Sequence, residues 1–178
     1  MNKRGLSLLE VSLAIVFLLL PLSFFITSRS DVSDEYLINQ LSYILCKNTQ
    51  SFSEYLKSST DTDKVKKQIP VTDVCNSERC TPGFNGNVGN YKISYYTNDK
   101  GVGLVVLYGT NTKENVTFEK MKGRAGMRSA YMEGDKISTV TPYFSAFKNT
   151  FPDLPENIIA MTIIPPVTTP FYYCNIRD

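Results

Sequence analysis

From Leu6 to Ser28 the chain is apolar and uncharged except at Glu10, and this run follows a Lys3-Arg4-Gly5 triplet. About 20 apolar residues suffice to cross a bilayer as a helix, so 6–28 is predicted to be a membrane-depth helix. The pattern then changes. Between Asp31 and Lys57 the apolar residues Leu37, Leu41, Ile44, Leu45, Phe52, Tyr55 and Leu56 recur at intervals of three and four, which places them on one face of an amphipathic helix. Ser58 to Asn90 is polar and turn-rich, with Thr60-Asp61-Thr62-Asp63 and Pro82-Gly83, and reads as the connection from helix to sheet.

From Tyr91 onward the pattern is that of strands. Tyr91–Thr97 and Gly101–Gly109 flank an Asn98-Asp99-Lys100-Gly101 turn, the strongest hairpin signal in the sequence. Asn115–Glu119, Lys136–Thr141, Ile158–Ile164 and Phe171–Cys174 are further predicted strands, giving a sheet of about four to six. Lys120–Arg128 is basic, contains glycine and reads as a surface loop. Tyr143–Phe151 reads as a short helix that puts Phe144, Phe147 and Phe151 on one side for core packing. The expected fold class is therefore α+β.

Composition adds a compartment and removes several functions. The four cysteines, Cys46, Cys75, Cys80 and Cys174, all lie beyond the apolar run, as expected of an oxidising periplasmic or extracellular setting. Two disulfides are expected, and three pairings are open. The short Asn76-Ser77-Glu78-Arg79 loop closes readily and favours Cys75 with Cys80, leaving Cys46 to tie the helix to Cys174. With no histidine and no paired CxxC knuckles, a zinc site is not expected, and Thr60–Asp63 lacks the glycine and distant glutamate of a calcium loop. No metal or cofactor is expected.

Of 19 basic and 17 acidic residues, three and one fall in the first thirty, leaving 16 of each beyond them. No basic stripe argues for nucleic acid. The missing histidine also removes the commonest general base, and no nucleophile elbow, phosphate loop or paired-carboxylate motif stands out, so the expectation is not an enzyme. Asn115-Val116-Thr117 matches a glycosylation acceptor, a tripeptide common by chance.

Glu10 remains the unusual residue. A carboxylate at membrane depth costs roughly 2.5 to 3.5 kcal/mol on insertion scales, so it needs a partner, and a group from another chain is the sharper idea. Lys3-Arg4-Gly5 followed by Leu6-Ser7-Leu8-Leu9-Glu10-Val11 and an apolar stretch containing Pro21 resembles the leader of type IV prepilins over roughly the first thirty residues. That resemblance implies cleavage by a prepilin peptidase between Gly5 and Leu6 and N-methylation of the new terminus at Leu6. It makes Glu10 the carboxylate that pairs with a neighbouring subunit's N-terminal amine during assembly.

The same resemblance implies a pilin-like fold with a continuous N-terminal helix packed on an antiparallel sheet. Its segments are a leader at 1–5, a transmembrane and filament-core half at 6–28, an amphipathic half at 29–58 and a disulfide-bonded head at 59–178. Two features depart from the common pattern: Leu6 stands where phenylalanine or methionine is more usual, and Pro21 lies earlier than in many major pilins. Proline removes one intrahelical hydrogen bond and kinks the helix, which a filament core accommodates.

The implied partners are other pilin subunits, the peptidase and inner-membrane assembly machinery. Within the class, a minor pilin comes first, and a major pilin or a type II secretion pseudopilin is the alternative. An ordinary signal peptide cleaved after Ser30, or a plain single-span anchor, would instead make the chain a secreted or anchored binding protein. Both leave Glu10 unexplained.

Overall fold

In the computed structural model the described residues are 8–58, 67–75, 80, 83–109, 115–124, 129–139 and 143–164; within 8–58, the side chains of 8–10, 14, 18 and 20–33 lie outside the description. The first element is one helix, α1, Leu8–Ser58. Compact packing divides the chain at Leu37 into Met1–Leu37 and Ile38–Asp178, and the second unit contains the end of α1 together with the sheet. Every strand pairing is antiparallel. The chain is thus α+β.

Among the described residues the sheet has seven strands, more than the four to six expected. They are β1 Lys67–Ile69, β2 Asn87–Val88, β3 Tyr91–Thr97, β4 Gly103–Gly109, β5 Ser129–Glu133, β6 Lys136–Thr139 and β7 Asn157–Ile163. The order is β1-β3-β4-β7-β5-β6, with β2 also on β3. The surplus comes from the short β1 and β2, inside the segment read as a polar connection, and from β5, which sequence reading left unassigned. The three-residue β1 and two-residue β2 are too short to carry an alternating signal.

One predicted strand is corrected. Asn115–Glu119 belongs to helix α3, Asn115–Lys122, although Val116, Thr117 and Phe118 favour strands. Phe118 and Met121, three residues apart, are both fully buried while Glu119 and Lys120 are exposed. Helical spacing prevails over residue preference. The basic loop expected at 120–128 shrinks accordingly, since 120–122 close α3; residues 125–128 and the strand expected at Phe171–Cys174 lie outside the described residues.

Both faces of the sheet are covered. Strand alternation and register put Tyr95, Val105 and Met161 side by side on one face. The buried stripe of α1, Ile38, Leu41, Leu45 and Phe52, packs there: the Phe52 ring lies 5.1 Å from that of Tyr95, and Thr49 Oγ1 lies 3.5 Å from Met161 Sδ. Phe118 of α3 extends the layer, with ring centroids 6.0 Å from Tyr91 and 6.3 Å from Tyr131. On the other face Tyr96, Leu104, Val106, Ala130, Ile158 and Ala160 pack with Phe144 and Phe151, while Phe147 and Leu154 lie against the cluster. Phe144 and Phe147 lie on α4, Tyr143–Phe147, and Phe151 directly follows the 3₁₀ turn Lys148–Thr150. A sheet buried on both sides needs apolar residues on both, which explains the unbroken Leu104-Val105-Val106-Leu107 run of β4.

The hairpin turn is built around Asn98, fully buried despite its polar side chain. Its Oδ1 accepts from the backbone N–H of Lys100 at 3.0 Å and of Val102 at 2.8 Å. Its Nδ2 donates to Thr150 Oγ1 at 2.7 Å, and that hydroxyl donates to the Phe147 carbonyl at 2.7 Å. Gly101 takes φ 73°, which a side-chain-bearing residue there would resist. One asparagine therefore closes the turn and ties it to the covering layer.

Candidate functional site

The residues singled out by the sequence divide into those near the start of the chain and the cysteines of the head. Gly5 and Leu6 lie outside the described residues. Glu10 and Pro21 are on the backbone of α1, which is helical from Leu8 and remains assigned as helix through Pro21. Beyond Glu10, Val11, Leu13, Ile15, Val16, Phe17 and Leu19 spread over about two thirds of the helix circumference at 100° per residue. All six are exposed, at 45% to 68%. Apolar surface of this extent seeks lipid or another chain.

Among the described residues no helix is long and apolar enough to cross a membrane. The side chains of 20–33, which make up much of the apolar run, are not among them. The expectation of a span therefore stands on the sequence.

In the head, Cys75 is bonded to Cys80, as the short loop between them favoured. Cys46, on the buried side of α1, is also disulfide-bonded, and its partner lies outside the described residues, as does Cys174. Cys75 follows the single turn of α2, Val71–Val74, where its N–H donates to the Val71 carbonyl at 2.8 Å. Val74 is fully buried and fixes that turn against the head.

Sequence reading did not single out the polar joint beside this disulfide. Tyr95 of β3 is fully buried, and its hydroxyl donates to Asn48 Oδ1 at 2.5 Å. Asn48 Nδ2 in turn donates to the Ile44 carbonyl at 2.8 Å. Cys75 Sγ lies 3.5 Å from the Tyr95 hydroxyl oxygen. Burial pushes the Tyr95 hydroxyl well above the ordinary tyrosine value, so it stays neutral and keeps its proton to donate. On the same face, burial and then the Glu133 carboxylate push Tyr131 up to about 12. The available signal was Asn48 itself, a polar residue four positions before Phe52 on the apolar stripe.

Beside the joint runs a groove of about 270 Å³. Tyr43, Ile44 and Asn48 of α1 line one wall, and Cys80, Phe84 and Val88 the other. A second hollow of about 370 Å³, near Gly134 and Phe151, has a charged rim of Asp135, Lys148, Asp153 and Glu156. Lys148 Nζ and Asp135 Oδ1 are 3.6 Å apart there. No group of three or more histidine, cysteine, aspartate or glutamate residues among the described residues is arranged to hold a metal ion.

Compared with known proteins, the chain matches no family model, no curated protein and no solved structure.

Proposed function

We propose that this chain is a type IV pilin-like structural subunit, a minor pilin in the first instance, that assembles into or primes a helical filament. The observation that carries the reading is the position of Glu10: five residues beyond Gly5, at the head of a helix on which Val11, Leu13, Ile15, Val16, Phe17 and Leu19 stand exposed. A carboxylate in an apolar environment needs an opposite charge, and a freshly exposed N-terminal amine on a neighbouring subunit supplies one. Two charges that offset each other's desolvation also fix the register between subunits.

In this account the prepilin peptidase cuts between Gly5 and Leu6, and Leu6 is N-methylated. The subunit waits in the inner membrane with its head in the periplasm, then is extracted into an extracellular pilus. The contact is heterologous and open, the symmetry that generates helical filaments. The antiparallel α+β head, the Cys75–Cys80 disulfide and the seating of Ile38–Phe52 on the sheet are compatible with a pilin-like fold.

The test is Glu10→Ala in cells that make the filament. Cleavage and head folding should proceed as in the parent, while incorporation into filaments falls sharply. Normal incorporation of the variant would remove the ion pair from the mechanism.

A further inference from the structure

We propose that Cys75–Cys80 is a thiol–disulfide exchange site, open to a dithiol through the groove beside α1, and that the Tyr95 hydroxyl receives the released Cys75 thiol. The proposal is independent of filament assembly and asks only for a setting in which dithiols meet the head.

Among the described sulfurs, Cys46 and Cys80 differ in access. Cys46 is buried on the packed side of α1, whereas Cys80 is half-buried and lines the wall of an open groove. Exchange requires a thiolate to approach one sulfur, so access selects the bond that reacts. Cys80 lines the groove by which a reagent enters, and Cys75, half-buried like Cys80, lies against Tyr95.

The chemistry balances without an oxidant from elsewhere. One thiolate of the dithiol attacks Cys80 Sγ, a mixed disulfide forms, and the bond to Cys75 breaks with its electron pair leaving on Cys75. Cys75 takes up the proton that the attacking thiol lost. The second thiol of the reagent then attacks the reagent's own sulfur in the mixed disulfide and releases Cys80, which is protonated in turn. Two protein thiols and one oxidised dithiol result.

Tyr95 makes the reduced state accommodating. Its hydrogen is already committed to Asn48 Oδ1, so toward the sulfur, 3.5 Å away, it presents an oxygen lone pair. A disulfide sulfur has no hydrogen to give it. A Cys75 thiol does, and S–H to Tyr95 Oη then extends the line through Asn48 to the Ile44 carbonyl. The freed thiol thus enters a prepared acceptor site, and the buried Val74 keeps α2 anchored.

The experiment uses the full chain in detergent, titrated with dithiothreitol, trapped with iodoacetamide and mapped by mass spectrometry, with near-ultraviolet dichroism recorded at each step. Alkylation of Cys75 and Cys80 is expected at dithiothreitol concentrations that leave Cys46 unalkylated and the dichroism unchanged. Alkylation of Cys46 at the same or lower concentrations would overturn the proposal, as would no alkylation before the dichroism collapses. In Tyr95→Phe, the ratio of reduced to oxidised dithiothreitol at half-reduction should rise a few-fold, because the thiol loses its acceptor. An unchanged ratio in that variant, folded, would remove Tyr95 from the account.

Discussion

The Tyr95 hydroxyl on β3 donates to the Asn48 side-chain oxygen on α1 at 2.5 Å, joining helix to sheet across 47 positions of sequence. The bond lies in the packed layer, with Tyr95 fully buried and Asn48 7% exposed. Both α1 and β3 must be in place for either polar group to be satisfied.

Removing the donor leaves a buried acceptor without its partner, which costs about 1–3 kcal/mol. Tyr95→Phe keeps the ring that packs on Phe52 and deletes only the hydroxyl. Urea unfolding of the full chain in detergent should show that loss in the midpoint with an unchanged slope. The same hydroxyl sets an alkaline limit. Its folded value lies above the unfolded one near 10, so its contribution is complete below pH 10 and lost as pH rises beyond it. The phenylalanine variant should show a flatter decline over that range.

Asn98 is the residue on which the hairpin turn depends. Asn98→Ala removes the acceptor of two backbone N–H groups and the donor to Thr150, and should cost about 2 kcal/mol or more. Asp99, its exposed neighbour, is the control: Asp99→Ala should stay within about 0.5 kcal/mol. Thermal unfolding of the pair checks both values. Equal effects would mean that the turn is not held by the Asn98 side chain.

Gly103 allows the end of α1 to approach β4. A Cβ at that position would lie 2.6 Å from Leu56 Cδ1 and 3.0 Å from Phe52 Cε1. The leucine methyl is the end of a flexible side chain and can move, while the fully buried Phe52 ring has little room. Gly103→Ala should therefore destabilise by about 1–3 kcal/mol. Combining it with Leu56→Ala should relieve part of that cost, and a double-mutant cycle on unfolding midpoints reads the coupling. Strict additivity would place the strain elsewhere.

Elements with a strong local period were legible in the sequence. The Tyr91–Gly109 hairpin, the β7 run and the apolar stripe of α1 all appear where periodicity put them, with ends moved by a residue or two. The three phenylalanines of 143–151 were also recognisable as packing residues. What was hidden had a physical reason. Strands β1 and β2 are short, β5 begins straight after a basic stretch, and α3 is made of residues that prefer strands while its burial follows helical spacing. Of the candidate site, the Lys3-Arg4-Gly5 to Glu10 spacing and the Cys75–Cys80 pairing could be read from the chain. The Asn48–Tyr95 joint could not, because it links residues whose proximity only the folded sheet creates.

The central claim is that the chain is processed as a prepilin, and the mass of its mature N-terminus tests it most directly. The protein should be taken from cells that contain a prepilin peptidase and its N-terminal peptide measured. The account predicts a chain that begins at Leu6 and carries an N-methyl group, with Glu10 retained five positions in. A chain beginning at Asp31, or one that keeps Met1, would contradict it and return attention to the head alone.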